Sequence, residues 1–304
     1  MYNQPELVNI PWISVLGNHD YGGSMYLCGE RDGWFRACRS TEEMLAALRA
    51  KFDLQSNYAS ARWYMPNHYF KYTLQHEDVT IDIFNVDTNF ADSHGARQIC
   101  CQCYGYAKGD DSNCNNVDRG DTYCAGGNTA MYDACYREIE TWFEDSLRQV
   151  DRDLGESTAD WKIINSHYSP HFHMSPPKME RWFSVLRRHS VQVFLNGHTH
   201  GENHDYANFQ THFFENGAGG GIQSETSGRP PPHVKDMSNV WIGNNAPYGF
   251  FEISASKQWL RLRFVTFDRT WRFARDNQAT VRGGTQIGHC WYIPIDGSYG
   301  RACK

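Results

Sequence analysis

An apolar run, Val191 to Leu195, breaks without transition into Asn196-Gly197-His198-Thr199-His200-Gly201-Glu202-Asn203. A short apolar run bounded by turn residues is the mark of a strand buried on both faces. The pattern recurs. Ile10 to Leu16 reads as a strand ending in Gly17-Asn18-His19-Asp20, and Trp161 to Asn165 leads into Ser166-His167-Tyr168-Ser169-Pro170-His171-Phe172-His173. With helical segments between them, such strands build an α/β protein, which places its chemistry beyond the strands' carboxyl ends. On an extended backbone, alternation points His198 and His200 the same way.

The intervening stretches fit that class. Ser40 and Glu43 form a capping box for a helix to Phe52, with Met44, Leu45, Leu48 and Phe52 at helical spacing. Tyr69 to Leu74 and Val79 to Val86 alternate as neighbouring strands, and Asp87 and Asn89 follow the second. Asn128 or Thr129 caps a helix running to about Leu154, striped by Tyr132, Ile139, Trp142, Phe143 and Leu147. Lys178 to His189 is amphipathic. Thr211 to Glu215 is a strand before the glycine loop Asn216 to Gly221, which lacks the spacing of a dinucleotide or Walker loop and reads as a tight turn beside the site. Ser227 to Pro232 reads as flexible or polyproline, and Tyr248 to Ile253 and Trp259 to Phe267 as antiparallel strands. Residues 1–275 are expected to form one domain, and 276–304 a tail pinned by Cys290 and Cys303.

Charge and cysteine bound the function. Lys and Arg number 29 against 35 Asp and Glu, a net of −6 with no long like-charge block, which excludes a broad nucleic-acid surface. No apolar run approaches the roughly 20 residues that span a bilayer, and the first residues lack the pattern of a signal peptide. Of ten cysteines, Cys100, Cys101, Cys103, Cys114, Cys124 and Cys135 crowd the polar, glycine-rich stretch 91–127. Zinc is the competing reading, but the spacings fit no standard finger and no His pair is near, so a disulfide-stapled insertion in an oxidising compartment is expected.

Asn18, His167, His198 and His200 offer an amide oxygen and imidazoles, donors that suit zinc, iron or manganese. In this order, each directly after an apolar strand, they resemble the calcineurin-like metallophosphoesterases, and within them the small purple acid phosphatases. Trp12 to Tyr21, Asn165 to Tyr168, Gly197 to His200, Asn216 to Gly219 and Tyr248 to Ile253 carry the likeness. The resemblance implies a four-layer α/β/β/α sandwich around a dinuclear centre of iron with zinc, manganese or iron. It implies Asn18, His167 and His198 as ligands of one metal and His200 as a ligand of its neighbour. His19 would donate to the phosphoryl oxygens or the leaving group, with Asp20 either orienting it or capping the turn, and His171 or His173 would be a further proton donor. The implied reaction is hydrolysis of a small phosphate monoester by a metal-bound hydroxide in a secreted protein without nucleic-acid or membrane partners.

The family's first two motifs, an Asp-bearing strand end and Gly-Asp-x-x-Tyr, belong upstream of Gly17, where this sequence has only Met1 to Leu16. Asp87 and Asp110 lie outside any such motif. Two readings stay open: an N-terminally truncated copy of a full enzyme, or a non-catalytic or weakly metal-binding secreted protein on the same scaffold. A phosphodiesterase of the same superfamily is a third.

Overall fold

The computed structural model describes residues 5–21, 27–29, 35–58, 62–92, 94–114, 116–217, 228–243, 248–267 and 284–304. The expected strand Ile10 to Leu16 is reduced to β1 (Trp12–Ile13), which pairs in parallel with β2 (Trp63–Tyr64). Between them, α1 (Thr41–Ser56) starts where the capping box places it, with the Ser40 hydroxyl accepting the Glu43 N–H at 3.1 Å. The Glu43 carboxylate reaches one residue further back than the usual box, to the Arg39 N–H at 2.5 Å.

β3 (Tyr69–His76) and β4 (Val79–Val86) follow as read, and then α2 (Ala96–Cys101) and α3 (Cys103–Tyr106). Those two short helices are stapled by Cys100–Cys135, Cys101–Cys124 and Cys103–Cys114, so the crowded cysteines are disulfides. Cys28–Cys38 and Cys290–Cys303 complete the set and leave no free cysteine. α4 (Thr129–Glu156) begins at Asn128, whose side chain accepts the Met131 N–H at 3.1 Å. It buries the whole expected stripe, at about 2 kcal/mol for each large apolar side chain removed from water.

β5 (Trp161–Ser166), α5 (Pro170–His173), α6 (Pro176–Arg188), β6 (Val193–Asn196), β7 (Glu202–Ala207), β8 (Thr211–Asn216), β9 (Met237–Ile242), β10 (Gly249–Ala255), β11 (Trp259–Phe267), β12 (Thr285–Pro294) and β13 (Arg301–Ala302) follow. The larger sheet has the order β3-β4-β5-β6-β8-β7-β9 and the smaller β10-β11-β12-β13. The stretch expected to be a tail therefore supplies β12, in antiparallel register with β11 from Trp259↔Pro294 to Phe267↔Thr285. Cys290–Cys303 ties it to β13.

The chain divides into two compact units: Met1–Lys71, Phe84–Asp153 and Ser166–Lys178 form the first, and Tyr72–Ile83, Leu154–Asn165 and Met179–Lys304 the second. In the second, strand alternation sets the layers. Val193 and Phe214 point into a core shared with Leu260, Leu262, Trp291 and Ile293 of the smaller sheet. Phe194 and Phe213 point the other way, onto Trp182 and Phe183 of α6 at ring distances of 6.0 Å. The result is a mixed α/β architecture, a helix on one sheet with a second sheet behind it. Among the described residues no helix is long and apolar enough to cross a membrane.

Candidate functional site

In the first unit, Leu16 leads into Gly17 and a one-turn helix, Asn18–Tyr21. The Asp20 carboxylate accepts the Gly17 N–H at 2.8 Å and the Gln55 amide at 3.2 Å, so Asp20 caps the turn. Burial, outweighing the Gly17 bond, raises its carboxyl above the ordinary value. The turn buries Asn18 and leaves His19 exposed. His167, the first residue after β5, donates from Nε2 to Oδ1 of Asn18 at 2.9 Å, joining positions 149 residues apart. Gly17 makes room for that approach: a Cβ there would stand 2.7 Å from Cε1 of His167 and 2.9 Å from each ring nitrogen.

The exit of β4 adds what the sequence left unassigned. Asp87 is buried and accepts four bonds: from the Tyr21 hydroxyl at 2.7 Å, His68 Nδ1 at 2.9 Å, the Asn89 N–H at 3.0 Å and the Asn89 amide at 2.7 Å. Burial alone would push this carboxyl up. His68, Asn89 and Tyr21 outweigh burial and hold it below the ordinary carboxylate value. Asn89 also donates to the carbonyl of Leu16 at 3.0 Å. The signal was the strand-exit position itself, with Asp87 and Asn89 alternating after an apolar run. Asp110 instead closes a surface turn through Ser112 and Asn113.

His171 and His173 lie on α5 and are both buried. Burial, followed by the neighbouring imidazoles of His171, His94 and His167, lowers His173 to about 3 and so keeps it neutral.

In the second unit, β5 runs parallel to β6 (Asn165↔Leu195) and β6 parallel to β8 (Asn196↔Glu215), so these strands end at one edge of the sheet. His198 and His200 follow β6 but not on extended backbone. Both take left-handed conformations, φ +76° and +51°, which corrects the expected alternation. The Thr199 N–H bonds back to the Gly197 carbonyl at 3.1 Å, closing a three-residue turn around His198. A φ of +76° at its centre is the value of the rarer, strained γ-turn. Left-handed backbone at a residue with a Cβ costs on the order of 1–3 kcal/mol and persists where the surroundings enforce it. Gly217 helps enforce it: a Cβ there would stand 2.7 Å from the His200 nitrogen, and its N–H bonds the Gly201 carbonyl at 2.9 Å. The rest of the expected glycine loop, Ala218 to Gly221, lies outside the described residues.

The donors in the first unit suit a cation. Asn18 Oδ1 and His167 Nε2, 2.9 Å apart, are an amide oxygen and an imidazole nitrogen, donor types that zinc, iron or manganese accept. Among the described residues no three His, Cys, Asp or Glu side chains form a group able to hold an ion.

Residues 1–202 match the family model for calcineurin-like phosphoesterases. Purple acid phosphatase 3 of Arabidopsis thaliana is 26% identical over 206 residues, covering 66% of this chain and 40% of that protein. Two solved structures are similar in part. GAP50, described as the anchor in the inner membrane complex of Plasmodium, has a TM-score of 0.44 and 16% identity over 72% of this chain and 57% of its own. Purple acid phosphatase PPD1 from seeds of yellow lupin, Lupinus luteus, has a TM-score of 0.43 and 13% identity over 92% and 40%.

Proposed function

The chain belongs to the calcineurin-like phosphoesterase family, and from that premise we propose that it is a metal-dependent hydrolase of small phosphate monoesters, of the acid phosphatase kind. The observation that carries the proposal is the meeting of Asn18 Oδ1 and His167 Nε2 at 2.9 Å over a glycine that admits no Cβ. Asn18 and His167 would hold the metal in the first unit, and His198 and His200 are proposed as metal ligands in their own right. The last assignment rests on the sequence motif Gly197 to His200. When bound, iron, zinc or manganese supplies a nucleophile at mild pH and offsets charge on the phosphate oxygens.

The chain's own residues do the remainder. Asn18 is an anchored ligand, because Asp20 closes its turn. His19 is exposed beside it and donates a hydrogen bond to a phosphoryl oxygen or a proton to the leaving alcohol. His173 is unsuited to that step, since an imidazole held neutral is a poor acid. His171 is buried in the same turn. Ten cysteines paired in five disulfides support an extracellular site of action.

The test is hydrolysis of p-nitrophenyl phosphate against bis(p-nitrophenyl) phosphate by protein loaded with iron, zinc or manganese. Monoester turnover is expected, and its loss in His167→Ala and His198→Ala. Faster cleavage of the diester would reassign the chain as a phosphodiesterase, and no turnover of either ester would leave a binding protein.

A further inference from the structure

His68 belongs to no motif, yet nearly every freedom of its ring is fixed. Phe52 stacks on one face at 4.0 Å and 23°, and Trp142 lies at 4.2 Å and 21°. Nδ1 bonds Oδ2 of Asp87 at 2.9 Å. The side chain is 19% exposed against 3% for Asp87. A surface histidine with only a structural task seldom spends two aromatic faces and a buried carboxylate on its orientation. The network beyond Asp87 shows what that orientation controls.

The two carboxylate oxygens divide the work. Oδ2 accepts both His68 Nδ1 and the hydroxyl of Tyr21, the last residue of the turn that carries Asn18 and His19. Oδ1 accepts the backbone N–H and side-chain amide of Asn89, and that amide also holds the carbonyl of Leu16, just before the turn. One carboxylate therefore grips both ends of the segment Leu16 to Tyr21. Trp142 stacks on Tyr21 as well, at 5.8 Å, so the wall that orients His68 also backs the turn. A buried carboxylate keeps its direction only while donors saturate it. His68 donates from Nδ1 in its neutral and its protonated form alike, so its hold on Asp87 does not depend on the proton at Nε2.

We propose that His68 is a positioning residue for the Asn18–His19 turn: through the shared Oδ2 of Asp87 it aims the carboxylate that holds Tyr21 and Asn89, and so sets where Asn18 Oδ1 and His19 stand. The role in metal binding rests on the function proposed above; the coupling from His68 to the turn does not. Residues that orient ligands from behind typically change metal affinity 10- to 100-fold when lost.

The experiment compares wild type with His68→Phe, which keeps the stack and deletes the donor, and His68→Asn, whose amide nitrogen replaces Nδ1. Hydrogen–deuterium exchange of residues 16–21 is followed in metal-free protein, with residues 211–216 as the reference. Exchange at 16–21 is expected to quicken at least tenfold in His68→Phe, to stay within about threefold of wild type in His68→Asn, and to leave 211–216 unchanged. Equal acceleration of both segments, or of neither, would overturn the proposal. Cobalt(II) titration then reads the site, with affinity in His68→Phe expected to fall 10- to 100-fold. A wild-type chain that binds no cobalt refutes the metal reading alone, because exchange still decides the coupling. Should His68→Phe not fold, Tyr21→Phe serves. It should quicken exchange at 16–21 and, by NMR, exchange of the His68 Nδ1 proton; an unchanged proton means that the two donors are not coupled through Asp87.

Discussion

Gly17 packs against the face of the His167 ring, with the place of its missing Cβ only 2.7 Å from Cε1 and 2.9 Å from Nε2. Real Cβ contacts do not come this close, so the pair works only with glycine. Gly17→Ala should push the imidazole off Asn18 and cost about 1–3 kcal/mol as overpacking. Urea unfolding and cobalt(II) titration check it together. A variant destabilised in that range that still binds cobalt like wild type would show that the ring relaxes without losing the site.

His198 offers the opposite trade. At φ +76° a glycine is unstrained where histidine is not. His198→Gly should therefore be at least as stable as His198→Ala, by about 1 kcal/mol, while both lose the proposed ligand. The measurement pairs urea midpoints with metal stoichiometry by mass spectrometry. An Ala variant more stable than the Gly variant would mean that the turn opens once the imidazole is gone.

The turn at His198 also marks where sequence stopped being a guide. Gly-His-Thr-His after an apolar run located the end of β6, because buried strand and loop residues have distinct chemistry. It did not reveal the backbone, because φ > 0 at His198 and His200 is imposed by the Gly197 carbonyl and by Gly217, the latter after a later strand. Local rules carried α1 and α4, whose caps at Ser40 and Asn128 are short-range bonds. They missed β7, Glu202–Ala207, whose polar side chains are buried and paired across strands, as Asp205 is with Asn239. They missed β12 for a different reason: its partner β11 lies across the stretch 268–283, and nothing local announces that pairing. Asn18 and His167 were individually visible, while the Asp87 network needs His68, Tyr21 and Asn89, residues brought together only by folding.

Lys178 is a buried cation at the end of the first unit. Its ammonium donates to Glu140 at 2.5 Å and to the Phe90 carbonyl at 2.9 Å, lies 3.3 Å from Asp92, and sits 5.3 Å from the Phe143 ring centre. Lys178→Met keeps the stem and deletes the charge. Breaking a fully buried pair costs about 3–5 kcal/mol. Here the partner carboxylates keep 30% exposure and rehydrate in part, so about 1–3 kcal/mol is expected. A double-mutant cycle with Glu140→Gln tests it, and the second substitution should recover part of the loss. Strict additivity would place the stabilisation in the stem instead.

Acid should weaken the second unit through a line of imidazoles. His212 Nε2 donates to the Ser298 carbonyl at 3.1 Å, His204 Nε2 to His212 Nδ1 at 2.8 Å, and His289 Nε2 to His204 Nδ1 at 3.0 Å. Each ring is neutral in this arrangement, and the carbonyl at one end fixes all three tautomers. Burial lowers His212 and His289 from 6.5 to about 4, against the backbone bonds that favour charged His212, and burial with its two neighbours lowers His204 as well. The folded values lie below the unfolded one, so between them the unfolded chain holds more protons. Stability from this line is complete above pH 6.5 and is lost as pH falls toward 4, by several kcal/mol and less than the sum of independent sites because the three are coupled. His173, lowered to about 3, adds in the same direction. Asp87, also lowered, adds only below the ordinary carboxylate range, outside this window. His289→Phe keeps the stack on Trp241 at 4.6 Å, removes one titrating site and leaves His204 Nδ1 without its donor. It should be less stable than wild type at pH 7.5 yet lose less on going to pH 4. Urea midpoints at half-unit pH steps decide the matter: parallel curves for the two proteins would mean that the line does not carry the acid sensitivity.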